Sequence, residues 1–277
     1  MNLHTLIKRP TKTAAKIINR NRHIELLARF GYVSNGIIHG LIGSAVITLA
    51  FGSVIEADQS GVLSPLGNSM YGKALLLTIC VGLVSLSIWK ISAVILMRGK
   101  KRKNVHKRQI EESGKGLIYL IIGLSSATYL FNKASASQSS AATSQHVAQQ
   151  LLTSTPGLVL LYGITVGLVT AGALLIYHGA SRRFLDSLDS EVHVVLNHVA
   201  VWCGVVGYVT KGIMFIVLGG VFFSAAISLD PSRASGLDGA FKSFSAFAFG
   251  APLLFLVGLG FIMHAVYSIA RARLAEM

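Results

Sequence analysis

Residues 29–52 read RFGYVSNGIIHGLIGSAVITLAFG, a glycine-rich apolar stretch with no acidic side chain and no lysine. From Phe30 onward it is long enough to cross a bilayer as an α-helix, which requires about 20 residues. Further apolar stretches of similar length follow at residues 72–97, 113–131, 157–178, 203–228 and 248–269. The sequence therefore predicts an all-α membrane protein with six transmembrane helices.

The composition agrees with this prediction. Of the 277 residues, 52% are hydrophobic and only 13% are charged. A soluble domain carries about 25% charged residues, because its surface must face water. The deficit indicates that much of the surface of this protein faces lipid.

The basic residues between the predicted helices fall almost entirely on one side of the membrane. The segments on the side of the two termini carry 18 lysines and arginines, and those on the opposite side carry three. Cytoplasmic segments collect positive charge, so we expect both termini in the cytoplasm. The same distribution argues against nucleic acid as a partner, although the net charge is +14.

The predicted helices divide the chain into three hairpins and their connections. We expect hairpins at residues 30–97, 113–178 and 203–277, the last including a short C-terminal tail. A basic segment at 1–29, with an interfacial helix as one interpretation, a polybasic loop at 98–112 and a linker at 179–202 complete the chain. The Ser-, Ala- and Gln-rich residues 134–150 predict a mobile outer loop.

The three hairpins are copies of one pattern. Their first helices align at paired glycines seven residues apart: Gly36 and Gly43, Gly116 and Gly123, Gly212 and Gly219. Their second helices align at Gly82, Gly167 and Gly260, and seven residues later stand Trp89, Leu174 and Tyr267. Each copy crosses the membrane twice, so all three insert the same way, and we expect a pseudo-threefold axis along the membrane normal.

Glycine is expected at the contacts between these helices. Small residues let helix backbones approach closely in lipid, where hydrophobicity does not drive helices together. The pairs Gly36–Gly40 and Gly163–Gly167 have the spacing that is typical of such contacts. The glycines of the repeat are therefore predicted to be packing positions.

The repeated residues identify a family resemblance. The start of the first copy, Arg29, Gly31, Tyr32 and Gly36, together with the later Gly-Leu and aromatic positions, resembles the bacterial family called domain of unknown function 1206. The resemblance covers about residues 28–275 and implies a six-helix protein of a bacterial inner membrane without an assigned activity. The second copy departs most, with Glu111-Glu112 in place of Gly-Tyr and Leu174 in place of the aromatic residue.

The sequence argues against an enzyme. All eleven acidic residues lie outside the predicted helices, whereas proton relays and acid–base pairs in membranes generally need a carboxylate there. No catalytic or metal-binding motif is present, and the cysteines Cys80 and Cys203 stand alone within apolar stretches. We therefore predict no catalytic residues, no metal and no resident cofactor.

A set of basic, polar and aromatic residues in the cytoplasmic half forms a candidate site for an anionic ligand or lipid headgroup. Asn35, Lys115 and Lys211 occupy one repeat position, and His39 and Tyr119 occupy another, while His264 comes from a returning helix. We expect these six side chains to converge. Because the predicted helices contain no carboxylate, the lysines would have no acidic partner there. The alternative is that lysines extend to the membrane surface and that histidines only hydrogen-bond between helices.

The polybasic loop provides candidate contacts with the membrane surface. Each basic residue near an anionic bilayer contributes about 1 kcal/mol of attraction. The predicted lipid contacts are Lys100, Lys101, Arg102, Lys103, Lys107 and Arg108. The same residues also determine the topology, and both roles are compatible.

Three functions remain open. The first is a non-enzymatic scaffold or accessory component that interacts with anionic lipid. The second is a channel or transporter for an anion or small amphiphile through a cationic vestibule. The third is a haem- or quinone-binding protein built on His39 and His264.

The charge asymmetry predicts the outcome of a labelling experiment. In a background without Cys80 and Cys203, Ser139→Cys should react with a membrane-impermeant maleimide in intact cells. Lys103→Cys should react only after permeabilisation, because positively charged segments stay in the cytoplasm. The opposite labelling pattern would refute the predicted orientation.

Overall fold

The computed structural model describes residues 22–96, 105–131, 139–187 and 194–274, and these ranges are helical apart from short connections. Each of six long helices contains a segment that is long and apolar enough to cross a membrane, as predicted. They are α1 (Arg22–Ala50), α2 (Met70–Leu96), α3 (Val105–Phe131), α4 (Thr155–Ala180), α5 (Val194–Ser228) and α6 (Gly250–Leu274). The start of α1 and the end of α6 lie at the same end of the bundle, here the terminal end; the opposite end is the far end.

The helices form an open ring. Going round it, α4 packs against α5, α5 against α6, α6 against α1, α1 against α2, and α2 against α3. The most extensive packing joins α1 to α6, so the first and third hairpins are in direct contact. Among the described residues, α3 and α4 form no comparable interface, although they belong to the same hairpin. The predicted threefold axis remains a prediction, and the middle hairpin departs from it.

The repeat glycines make equivalent contacts at three interfaces. Each glycine of a first helix faces a branched side chain on the second helix of the preceding copy, close enough that an added Cβ would lie 2.6–3.1 Å from it. The pairs are Gly36 with Ile269, Gly116 with Ile91, Gly212 with Ile176, Gly43 with Ile262, Gly123 with Val84, and Gly219 with Val169. These contacts agree with the predicted role of the glycines in packing.

Two glycines of α4 behave differently. A Cβ added to Gly163 or to Gly167 would meet no other atom within 4 Å. Their spacing predicted a contact with a neighbouring helix, and that prediction is wrong for both glycines within this chain. The glycine spacing alone could not show that the neighbouring helix, α3, lies elsewhere.

Apolar side chains fill the centre of the bundle toward the far end. The buried core there includes Val46 of α1, Leu76 of α2, Met214 of α5 and Leu254 of α6. Phe241, from the short helix Gly236–Ser243, inserts into the same core and is fully buried. Among the described residues, apolar packing therefore closes the far half of the centre in this conformation.

The far-end connections are joined to one another. The carboxylate of Asp238 accepts a hydrogen bond from the backbone N–H of Ala57 (3.1 Å) and pairs with Lys242 (2.6 Å). Asp58 caps the short helix Gln59–Leu63 by accepting from Gly61 N–H, and Ser60 contacts Ser140 of the next connection at 2.8 Å. The three far-end connections are thus held together as one cap.

The prediction of a mobile loop at 134–150 is wrong for its described part. Residues Ser140–Leu152 form a helix, and the side chain of Ser139 caps it by accepting from the Ala142 N–H at 3.0 Å. Ala148 is buried against Ala225 and Ala234. The helix forms because serine is a favourable N-cap residue and alanine and glutamine have high helix propensity. The overall Ser, Ala and Gln content alone did not reveal this. Residues 1–21, with most of the predicted interfacial helix, lie outside the described residues.

The glycine contacts predict unequal effects of leucine substitution. Gly43→Leu, Gly123→Leu and Gly219→Leu should each lower the free energy of unfolding by about 1–3 kcal/mol, because the new side chain displaces a packed neighbour. Thermal unfolding in detergent measures the effect. The control is Gly220→Leu, since nothing lies within 4 Å of Gly220. Equal midpoints for all four variants would contradict the packing role.

The far-end cap predicts a pH-dependent effect. Burial, together with the nearby carboxylates Asp58 and Asp238, raises the pKa of Glu56. A raised carboxyl pKa means that ionised Glu56 destabilises the fold, and acidification through that pKa relieves the penalty. Glu56→Gln should therefore raise the thermal midpoint at pH 7, and the gain should shrink as the pH falls.

The control for Glu56→Gln is Asp230→Asn, which should change the thermal midpoint in the opposite direction. Hydrogen bonds from Ser232, with the nearby Arg233, hold the pKa of Asp230 below its usual range. Ionised Asp230 therefore stabilises the fold, and this contribution is lost as the pH falls through the lowered pKa. Asp230→Asn should lower the midpoint at pH 7. If Glu56→Gln also lowers it, the proposed carboxylate repulsion is absent.

Candidate functional site

Two histidines meet between α1 and α6. The ring centroids of His39 and His264 lie 4.7 Å apart, and the His39 ring stacks on Phe261 at 6.1 Å. His39 Nδ1 donates to the backbone carbonyl of Asn35 at 2.8 Å, which leaves its Nε2 as an acceptor. His264 is buried, and its Nδ1 has no hydrogen-bond partner among the described residues. Both residues were predicted for the candidate site, and the structure places them in contact.

Lys211 of α5 lies within electrostatic range of both imidazoles. It forms no hydrogen bond or ion pair with any described residue. An unpaired charge at the centre of a membrane protein costs about 2.5–3.5 kcal/mol on insertion scales, and such charges generally mark functional sites. Lys211 is therefore the residue in the centre whose charge most needs a partner.

Aromatic side chains surround this group toward the terminal end. Tyr32 of α1 contacts Trp89 of α2 edge to face at 6.1 Å, and Tyr208 of α5 contacts Tyr267 of α6 at 5.5 Å. The guanidinium of Arg271 lies over the Tyr32 ring at 4.8 Å. We refer to this group of side chains, together with His39, His264 and Lys211, as the central chamber.

Several polar atoms of the central chamber are buried and unsatisfied. Within the described residues, no hydrogen-bond partner exists for Tyr32 Oη, Trp89 Nε1 or Arg271 Nε. More than 90% of buried polar groups in proteins have a partner, counting ordered water, so water or a ligand is expected beside these atoms. Two of the three are N–H donors, which suits a ligand that accepts hydrogen bonds.

Asn35 is occupied by the α1–α6 interface. Its side-chain amide donates to Ser268 Oγ at 3.1 Å, and both residues are buried. The predicted repeat position is therefore used here for a hydrogen bond between helices. Tyr119 of α3 packs against the cluster that contains Tyr32 and Trp89, so it does face the chamber.

Lys115 has an acidic partner, contrary to expectation. Glu112, at the start of the membrane-spanning part of α3, pairs with Lys115 at 3.1 Å and with Lys90 of α2 at 2.6 Å. Lys90 is buried in this triad, whereas the Lys115 side chain is partly exposed. The prediction that the lysines lack an acidic partner is wrong for Lys115, because Glu112 lies just inside the membrane-spanning part of α3.

The structure thus brings His39, Lys211, His264 and Tyr119 toward one centre and gives Asn35 and Lys115 other partners. Sequence reasoning missed Arg271, which was counted only as a basic residue of the tail. It also treated Tyr32, Tyr208 and Trp89 as marks of the repeat and not as chamber residues. Their recurrence at equal positions was the signal that could have placed them together.

The haem alternative meets a geometric obstacle. The rings of His39 and His264 are in contact at 4.7 Å, whereas a bis-histidine haem needs the porphyrin between them. Haem binding would therefore require α1 and α6 to separate. Among the described residues, no group of three or more potential metal ligands is found.

The predicted lipid contacts lie mainly outside the described residues. Lys100, Lys101, Arg102 and Lys103 fall in the undescribed segment 97–104, and the side chains of Lys107 and Arg108 are not described. A separate cavity of about 290 Å³ lies where α4 ends and α5 begins. Arg182, His198 and Trp202 line it, and the Arg182 guanidinium lies 5.9 Å from the Trp202 ring.

These features define a helical protein with the architecture of a multi-pass membrane protein and a basic, aromatic centre. The family model of the Domain of Unknown Function (DUF1206) matches residues 30–95 and 206–275. The chain therefore belongs to this family, through its first and third hairpins, and the predicted resemblance is confirmed. No curated protein and no solved structure matches the chain.

Proposed function

We propose that this chain is a non-enzymatic membrane component that binds an anionic group, phosphate or carboxylate, in the central chamber. The observation that carries the proposal is Lys211, a partly buried cation without a hydrogen-bond or ion-pair partner among the described residues. Bound anion would neutralise it and would offset its desolvation cost. The anion is either the headgroup of a lipid or a small solute.

The neighbours of Lys211 support an anion over a cation. Arg271 adds a second positive charge to the chamber wall, and Trp89 adds an N–H donor. The one carboxylate of the described membrane-spanning segments, Glu112, is already engaged by Lys90 and Lys115. No carboxylate of the described membrane-spanning segments is therefore free to form an acid–base pair with the histidines, which favours binding over catalysis.

The proposal includes an orientation. The terminal end, which contains the chamber, is the cytoplasmic end of a bacterial inner-membrane protein, in accord with the 18-to-3 distribution of basic residues. The three hairpins derive from one ancestral hairpin arranged about a threefold axis, and the middle copy has diverged from it. The polybasic loop would then face the anionic inner leaflet.

Transport is the second candidate. The apolar core around Phe241 closes the far half of the centre, while the polar chamber occupies the terminal half. A polar site with an apolar closure on its far side is compatible with one state of an alternating-access cycle. A channel is less well supported, since the packed core leaves no continuous path in this conformation.

The binding proposal predicts a ligand-dependent gain in stability that depends on Lys211. A ligand at about 100 times its Kd stabilises a folded protein by about 2.7 kcal/mol. Inorganic phosphate and phosphatidylglycerol micelles should each raise the thermal midpoint of the wild type. Lys211→Met should abolish the increase without lowering the midpoint of the unliganded protein, since it removes an unpaired charge.

The matched control for Lys211→Met is Lys115→Met, which occupies the equivalent position of the second copy but pairs with Glu112. It should keep the ligand-dependent increase. Phosphatidylcholine tests whether the effect needs an anion. Equal ligand responses in wild type and Lys211→Met would refute the site.

A further inference from the structure

In the first and third hairpins the two helices pack against each other, and we call these hairpins closed; the middle hairpin, whose helices are apart, is the open one. The two closed hairpins share a contact that the open hairpin lacks. In the first hairpin, a Cβ added to Gly82 would lie 2.6 Å from Ser34 Cβ, and in the third, one added to Gly260 would lie 2.7 Å from Thr210 Cβ. The equivalent residues of the middle hairpin are Gly114 and Gly167. Neither has any atom within 4 Å of an added Cβ.

The aromatic pairs show the same difference. Tyr32 contacts Trp89 across the first hairpin, and Tyr208 contacts Tyr267 across the third. The middle hairpin has Glu112 and Leu174 at these positions. Glu112 turns to Lys90 of α2, so nothing equivalent holds α3 to α4. The separation of these two helices is therefore encoded in the sequence of the second copy.

Side chains that are buried in the closed hairpins are exposed in the open one. Ile118 of α3 is 54% exposed, whereas its equivalents Ile38 and Met214 are 4% and 0% exposed. Leu174 of α4 is 59% exposed, and its equivalent Tyr267 is 1% exposed. The opening between α3 and α4 thus has aliphatic walls within the membrane-spanning segments.

The opening adjoins the central chamber. Tyr119 follows Ile118 on α3 and packs against the cluster of Tyr32 and Trp89. A molecule that lies between α3 and α4 therefore has its apolar part against Ile118 and Leu174. Its polar end can reach the cationic side of the centre, where Lys211 has no partner.

We propose that the opening between α3 and α4 is a binding site for an anionic phospholipid, with an acyl chain between the helices and the phosphate toward Lys211. Two observations select this occupant. The walls are aliphatic and face hydrocarbon, which suits an acyl chain, and the unpaired cation behind them suits a phosphate. The inference rests on the proposed function and narrows its ligand to a lipid.

The test fills the opening without disturbing packed atoms. Gly167→Trp places a large side chain where nothing lies within 4 Å, so the unliganded protein should keep its thermal midpoint. Binding of phosphatidylglycerol from nanodiscs should weaken by about tenfold or more, because the acyl chain loses apolar contacts. Inorganic phosphate, which needs no lateral opening, should bind as in the wild type.

Two further variants complete the design. Gly114→Trp fills the opening from α3 and should act in the same way, which keeps the test valid if one variant misfolds. Gly220→Trp adds the same side chain to a free face of α5 and should leave both ligands unaffected.

The outcomes separate the two proposals. Loss of lipid binding with retained phosphate binding supports the lipid site. Retention of both ligands in Gly167→Trp and Gly114→Trp overturns the lipid site but leaves the chamber intact. If neither ligand binds the wild type, the proposed function itself fails.

Discussion

The close approach of helix backbones at glycine is the constraint on which the rest of the bundle depends. In lipid, apolar side chains gain little by leaving their surroundings, so helices associate through packing and hydrogen bonds. Each first helix therefore presents glycines, such as Gly36 and Gly43, to a branched side chain of the preceding second helix. These contacts fix the rotation of each helix, and the rotation decides which polar residues face the centre.

One repeat position illustrates how three copies use the same frame differently. Asn35 donates to Ser268, Lys115 pairs with Glu112, and Lys211 has no partner among the described residues. Two copies thus satisfy the polar side chain within the chain, Asn35 through the preceding helix α6 and Lys115 through Glu112 of its own helix. The third leaves a charge for an anionic ligand, and this asymmetry is the basis of the proposed binding site within a repeated fold.

The sequence predicted the helices, their number and the packing glycines well, because length, hydropathy and spacing depend on local chemistry. It also placed His39 and His264 at one site. It missed the role of Glu112, since a carboxylate at a helix boundary belongs to the membrane or to the loop depending on one turn of helix. It missed the opening at Gly114 and Gly167, because glycine permits the close approach of a second helix but does not require it. The missing aromatic residue at Leu174 was visible, but its meaning required the packed counterparts at Trp89 and Tyr267.

The extensive interface between α1 and α6 also has a consequence for biosynthesis. A chain that enters the membrane from its N-terminus inserts α1 first and α6 last, yet Gly43 of α1 lies against Gly258 of α6. Until the final helix arrives, Asn35 has no Ser268 to accept its hydrogen bond, and the face with His39 meets lipid or an insertion factor. The docking of α6 against α1 is thus the last step of assembly. A ribosome that stalls before Gly250 would release a chain whose first helix still lacks its principal neighbour, a form that quality-control proteases could recognise.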